Sequence, residues 1–261
     1  MNDSQIREAV ERQLALDFGA EQAALNGGKN LFVNKRNDER KRACENGAAL
    51  LNVLCVNGIA VFSAADERLR AEAEKLFSGA NAAWLFEISG LRRLDALLSP
   101  FSQRLRSVHL YFTPVPGFSV RPAVLPCGAG AVWYEREQLS VFAGDERFGE
   151  ALGFNEGWPD ILAVTAEKNG ELLGMAAASR DSETLCQIGV NTLPAARGLG
   201  VAAALVALLK DELLRRSLVP FYGTAASHSV SQRVAFDAGF KPAWAEAYSE
   251  AVLDESSEKE K

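Results

Sequence analysis

Hydrophobic and polar positions change their spacing several times along this chain, and each change predicts an element. Residues 4–17 read as a helix, and the run NKRNDERKR over 34–42 as a solvated helix face or loop. Residues 51–56 and 59–62 are apolar runs joined by Asn57-Gly58. That pair readily takes positive φ at both central positions, so a hairpin with a primed turn is expected. A helix should follow over about 65–77. Ser89 offers a cap for another that runs through Leu98 and stops before Pro100, and residues 108–113 alternate like a strand. Pro114, Pro116, Gly117, Pro122, Pro126, Gly128 and Gly130 then punctuate the chain densely, which places the domain junction around 114–130.

The second half has a clearer order. A strand is expected near 132–134, helical material to about Leu152, and then 161–167 and 172–178 as a second hairpin across Asn169-Gly170. Residues 184–192 read as a strand, 199–216 as a helix, 219–224 as a strand, 229–238 as a helix and 240–249 as a final strand. The long helix is apolar nearly all round from Val201 to Leu209 before Lys210, Asp211 and Glu212 appear, so it must be covered on more than one side. The expected division is 1–125, 126–250 and a flexible tail over 251–261, which has too little apolar content to pack.

Composition narrows the class. At 261 residues, with 48% hydrophobic and 24% charged residues, the chain is an ordinary globular protein long enough for one large domain or two small ones. A formal net charge of −6 argues against a general nucleic-acid binder and tolerates cationic small substrates. Cys44, Cys55, Cys127 and Cys186 are widely separated, with no CxxC pair and only His109 and His228 to supplement them, so idle thiols and no metal are expected. The polar, helical start lacks the basic and apolar regions of a secretory signal, and the longest apolar tract is too short to span a bilayer. A cytoplasmic protein with no membrane partner is the expectation.

The most specific chemistry lies in NTLPAARGLGVA, residues 191–202. An arginine and two spaced glycines open directly onto a long alanine-rich helix, where backbone N–H groups lack intrahelical partners and the macrodipole favours an anion. Gly198 and Gly200 either remove side chains that would hold a ligand away, or supply backbone angles that other residues disfavour. A dinucleotide fingerprint fits the glycines loosely but not their context. Pro194 and Arg197 separate the strand from the first glycine, the next strand reads VPFYGT without an acid, and 61 residues after Gly200 are too few for a doubly wound sheet. A Walker loop is absent because no Gly-Lys-Ser/Thr closes the turn. A glycine-rich turn with no ligand is the plain alternative.

The neighbourhood of the turn adds to this. The order hairpin, strand, Pro-x-x-Arg-Gly-x-Gly-x-Ala, helix, strand, Ser-rich helix start and Ala-Gly-Phe resembles the GNAT superfamily of acyl-CoA-dependent N-acyltransferases. The likeness covers about residues 130–250, with its strongest part in 187–242. Arg197-Gly198-Leu199-Gly200-Val201-Ala202 fits that family's pyrophosphate motif, and SQRVAFDAGF over 231–240 its second signature. The resemblance implies a mixed α/β (α+β) fold, with a central splayed β-sheet flanked by helices and an additional N-terminal α/β domain.

It also implies a mechanism. The pantetheine of acetyl-CoA, the acyl-donor cosubstrate, would pair with the backbone of Val190, Asn191 and Thr192, its pyrophosphate would sit on the amides of residues 197–202, and a substrate amine would attack directly. The strand before the turn carries Gln187 where members often place a glutamate, so Asp181, Glu183 and Glu246 are weighed as bases. Asp181 is set against a solvated turn carboxylate, and Glu246, on a face with Trp244 and Tyr248, against an edge-strand carboxylate facing water. The usual tyrosine acid falls on Ala235; Tyr222 is the substitute, with packing as its other role. Ser227, His228 and Ser231 stand at the last helix start, where Ser227 or His228 can cap the helix or bond the pantetheine and Ser231 joins them as a cofactor-binding candidate. His109 reads as structural.

The first half repeats an Asn-Gly hairpin followed by helices and a strand, a faint echo of the second half, without the glycine turn; an acceptor-site or interface role is expected. The leading class is an acetyltransferase for a primary amine, on a small molecule rather than a protein, with a homodimer allowed for. The alternative is a non-catalytic acyl-CoA-binding or regulatory module, and a nucleotide-dependent oxidoreductase is disfavoured.

Overall fold

The computed structural model describes residues 1–42, 49–117 and 125–252. Cys44, Pro122 and the tail beyond Val252 lie outside the described residues. The fold is mixed α/β, with ten strands and five α-helices among the described residues. None of those helices is long and apolar enough to cross a membrane. The chain parts into two compact units, one of Met1–Gln13, Arg40–Cys44 and Tyr111–Ala243, the other of Leu14–Glu39, Glu45–Leu110 and Trp244–Lys261. Both are therefore assembled from separated stretches of chain, and α1 (Asp3–Phe18), β4 (Gln103–Pro114) and β10 (Phe240–Ala251) each contribute to both.

The second unit contains β1 (Leu31–Asn34), β2 (Leu51–Val56), β3 (Ile59–Ala64), α2 (Glu67–Phe77) and α3 (Ile88–Leu98), with strand order β1-β3-β2-β10-β4. Val56 faces Ile59 across a two-residue turn in which Asn57 has φ 49° and Gly58 φ 80°, as the primed hairpin requires. Strand β1, which the sequence pattern did not disclose, runs parallel to β3. Asp66 caps α2 by accepting from the amides of Arg68 and Leu69, and the helix buries Leu69, Ala73 and Phe77 at four-residue spacing. Ser89 does not cap α3: the cap position is Glu87, and Ser89 lies inside the first turn. The chain bends sharply there, since a Cβ at Gly90 would collide with the Leu85 carbonyl.

The first unit holds β5 (Gly130–Glu135), β6 (Asp160–Lys168), β7 (Glu171–Arg180), β8 (Leu185–Thr192), α4 (Val201–Arg215), β9 (Val219–Ala225) and α5 (Ser229–Asp237), with strand order β10-β4-β9-β8-β7-β6-β5. The β6–β7 hairpin turns at Asn169 (φ 53°) and Gly170 (φ 82°). Between β5 and β6 the expected helical material takes the form of two 3-10 turns, Arg136–Phe142 and Glu146–Phe148. Leu139, Phe142, Phe148, Ala151 and Leu152 from this segment pack on Ala163, Met175 and Ala177, one face of β6 and β7. Helix α4 takes the other face, where a Cβ at Gly174 would stand 3.4 Å from Leu205. Lys210, which the sequence placed at the start of a charged stretch, is 1% exposed. Its Nζ donates to the Ala238 carbonyl at the end of α5 (3.0 Å) and pairs with Asp211 (3.4 Å), which offsets the cost of burial.

Candidate functional site

The site begins where β8 ends. After Thr192 the chain makes a 3-10 turn over Pro194–Ala196, with Ala196 buried, and then turns into α4 through Gly198 (φ 75°) and Gly200 (φ 80°). Positive φ explains both glycines. A Cβ at Gly198 would meet nothing within 4 Å, and one at Gly200 only Pro126 at 3.7 Å, so the space over the turn is open. The first helical bond runs from the Ala204 amide to the Gly200 carbonyl, and no side chain caps the helix. The amides of Gly198, Gly200, Val201, Ala202 and Ala203 find no acceptor among the described residues. Arg197 is exposed, with Nε 3.4 Å from the Thr192 carbonyl. Orphan donors, the helix dipole and a solvent-facing guanidinium together fit a diphosphate.

The strand leading into the turn is open on one edge. β8 and β9 pair in parallel at Leu185, Cys186 and Gln187 only, whereas β8 stays on β7 as far as Thr192 opposite Gly174. From Ile188 onward the edge that would meet β9 has no strand partner among the described residues, which is the splay the sequence resemblance implied. Val190, Asn191 and Thr192 all lie in this stretch. Asn191 also holds a neighbouring segment through its side chain, since its Oδ1 accepts from the amides of Glu150 (3.0 Å) and Ala151 (2.8 Å).

Tyr222 and Ser231 are brought together, with hydroxyl oxygens 3.0 Å apart. Burial pushes the Tyr222 phenol up from its ordinary range, and the negative charge of Glu150 adds to this. Ser227 and His228 lie exposed at the start of α5, and His228, the cap residue, makes no side-chain capping bond. Asp181 sits at the other end of β8 from the glycine turn. It is buried rather than solvated, and its Oδ1 takes the Ser179 hydroxyl at 2.6 Å. Glu183 is in the same turn, its carbonyl taken by Arg180.

Glu246 belongs to the second unit. It is not at an edge facing water: β10 lies between β2 and β4, and Glu246 is 5% exposed. Its Oε1 accepts the Trp244 indole N–H at 2.6 Å, consistent with the shared face expected from alternation. His109, in the same unit, stacks on Tyr248 with ring centroids 6.2 Å apart; burial holds its imidazole below its ordinary pKa against the opposing pull of Glu246. Burial likewise pushes the Cys55 and Cys186 thiols up to about 12, while Cys127 is exposed. No group of three or more His, Cys, Asp or Glu is placed to hold a metal ion among the described residues.

Two features escaped the sequence. A Cβ at Gly189 would collide with the Glu150 carbonyl, so this glycine lets the 146–152 segment lie directly on β8. Gly223 plays the same part on β9, where a Cβ would stand 2.9 Å from the Tyr111 ring and 3.5 Å from Gln187 Nε2. Arg42 stands over the Tyr111 and Phe221 rings at 5.8 and 5.7 Å. A glycine inside a strand is a signal of close backbone approach, and it was available at both positions.

Residues 131–240 match the model of the Acetyltransferase (GNAT) family. No curated protein sequence matches the chain. Among solved structures it is similar to a GNAT-family protein from Novosphingobium aromaticivorans, at 21% identity over 57% of this chain and 66% of that one, TM-score 0.39. The chain thus spans just under two thirds of that protein. A GCN5-related N-acetyltransferase-like protein from Streptococcus suis is similar over 95% of this chain and all of its own, at 16% identity and TM-score 0.49. AAC(6')-Iy, solved with a CoA-bearing bisubstrate analogue, is similar over 43% of this chain and 90% of its own, at 21% identity and TM-score 0.34. The residues matched by the GNAT acetyltransferase family model carry the glycine turn and the open β8 edge.

Proposed function

We propose that the protein is an acetyl-CoA-dependent N-acetyltransferase that acylates a primary amine on a small molecule by direct attack in a ternary complex. The observation that carries this is the conjunction of two features on one strand. β8 leaves β9 after Gln187, and it ends in a turn whose amides at Gly198 and Gly200–Ala203 lack acceptors among the described residues. An unpaired strand edge suits an amide-bearing pantetheine arm, and the turn suits the diphosphate that lies at its end. Bound there, acetyl-CoA supplies an activated acyl group. Val190, Asn191 and Thr192 hold the arm by their backbone, residues 197–202 hold the diphosphate, and Ser227 and His228 are within the same end of the fold as further pantetheine contacts.

Tyr222 is proposed as the acid. Its raised phenol stays protonated through neutral pH, so it has a proton to give the departing thiolate, and Ser231 orients it. Calorimetry with acetyl-CoA on the intact protein and on Gly200→Glu tests the reading. The expected result is binding by the first and none by the second, because a carboxylate in a positive-φ turn stands where the diphosphate belongs. Absence of binding by both overturns it. Binding without release of CoA across an amine screen leaves the non-catalytic acyl-CoA-binding module in its place.

A further inference from the structure

The Glu150 backbone is fixed on the open part of β8 from three sides. Asn191 Oδ1 accepts from its amide and from that of Ala151, at 3.0 and 2.8 Å. Gly189, two residues earlier and on the same face of the strand, is the glycine that lets the Glu150 carbonyl lie against β8. Phe148, Ala151 and Leu152 are buried in the cluster with Met175 and Ala177. Such anchoring of a backbone by a bare glycine and a side-chain amide leaves the carboxylate of residue 150, an exposed residue beside the splay, without a partner among the described residues. On β9, across the splay, stands Tyr222, whose hydroxyl meets that of Ser231.

We infer that Glu150 receives the cationic acceptor amine and acts as its general base, with the amine entering from the face of β8 that carries Gly189 and Asn191, opposite α4. The inference rests on the acetyltransferase reading and names what the strand itself lacks, since Gln187 has no basic group. Of the other carboxylates weighed, Asp181 is bonded to Ser179 and Glu183 shares its turn at the far end of β8, while Glu246 is bonded to Trp244 in the second unit.

An alkylammonium near pKa 10 is less than about 1% neutral at pH 7, so attraction to a carboxylate followed by proton loss is what the reaction needs first. One proton passes from nitrogen to Glu150 and on to solvent. The nitrogen lone pair then forms the C–N bond at the thioester carbonyl, and the C–S electron pair leaves with sulfur, which takes a proton from Tyr222. The second proton lost from nitrogen as the amide forms restores the phenol. The sum is ammonium plus thioester giving amide, thiol and one proton.

The test uses the full-length protein, acetyl-CoA and primary alkyl amines from butylamine to 1,4-diaminobutane, with Glu150→Gln and, as a control on the same segment, Glu146→Gln. Expected for Glu150→Gln is a fall in kcat of about 10²-fold or more, with acetyl-CoA affinity unchanged. The deficit should shrink as the pH is raised toward the amine's own pKa, where the neutral amine no longer needs a base. Glu146→Gln should match the unaltered protein. A deficit that is constant with pH, full activity in Glu150→Gln, or an equal loss in Glu146→Gln overturns the inference. So does an intact protein that binds acetyl-CoA but acetylates none of these amines. Failure to bind acetyl-CoA at all overturns the reading beneath it instead.

Discussion

Gly189 and Asn191 act on the same segment in opposite senses, one by having no side chain and the other by using one. Gly189→Ala puts a methyl group into the Glu150 carbonyl and must displace the 146–152 segment, an overpacking cost of about 1–3 kcal/mol. A lower urea midpoint and a fall in turnover with acetyl-CoA affinity kept are the expected outcomes. Asn191→Ala leaves two amides to find new partners and should move both measurements the same way. Tyr222→Phe retains the ring, loses the hydroxyl that meets Ser231, and should lower kcat by about 10²-fold while calorimetry shows acetyl-CoA binding intact. At this scale the glycine turn was legible because its requirement is local: φ of 75° and 80° is written in the residues themselves. Glu150 was not legible, because its meaning depends on Gly189 and Asn191 in another element, and Asp181 looked solvated because the Ser179 hydroxyl that shelters it has no sequence signature.

Helix α4 is tied down at its C-terminal end by a charged network. Arg216 donates to Glu212 at 2.7 Å and to Glu135 of β5 at 2.8 and 2.5 Å, and Arg215 donates to Glu212 at 2.6 Å. Hydrogen bonds from Arg215 and then Arg216 draw the Glu212 carboxyl down to about 2 from 4.5. A depressed carboxylate contributes stability that is complete above its ordinary pKa and is lost as the pH falls through the folded value. Thermal melts of the intact protein and Glu212→Gln should therefore differ by about 1 kcal/mol at pH 7, a difference that closes between pH 4.5 and about 2. Elements were legible where their signals are short-range. Both Asn-Gly hairpins and the apolar α4 follow from neighbours in the chain, and so does the helix capped by Asp66. Strand β1 exists only because β3 offers a parallel partner, and the 136–152 segment is bent into 3-10 turns by the core it covers. The Lys210 ammonium is buried because the α5 carbonyl at Ala238 awaits it.

For the whole molecule the decisive feature is the place of β4. Its far end, Tyr111–Pro114, lies between β9 and β10 in the first unit, although it precedes the family-matched residues in sequence. The proline- and glycine-rich stretch over 114–130 marks a break in composition, yet a cut there removes a central strand. A chain starting at residue 126 is thus expected to be insoluble or partly unfolded, and circular dichroism with size-exclusion chromatography would show it; a monomeric, cooperatively melting fragment would contradict this placement. On the ribosome the same arrangement imposes a wait. β4 emerges before β9 and β10 have been translated, and at about 5–20 residues per second the nascent strand stays without its neighbours on the order of ten seconds. Pairings so distant along the chain also close slowly. Refolding from urea should consequently be slow for a protein of this size, and holdase chaperones that cover nascent strands should raise its yield.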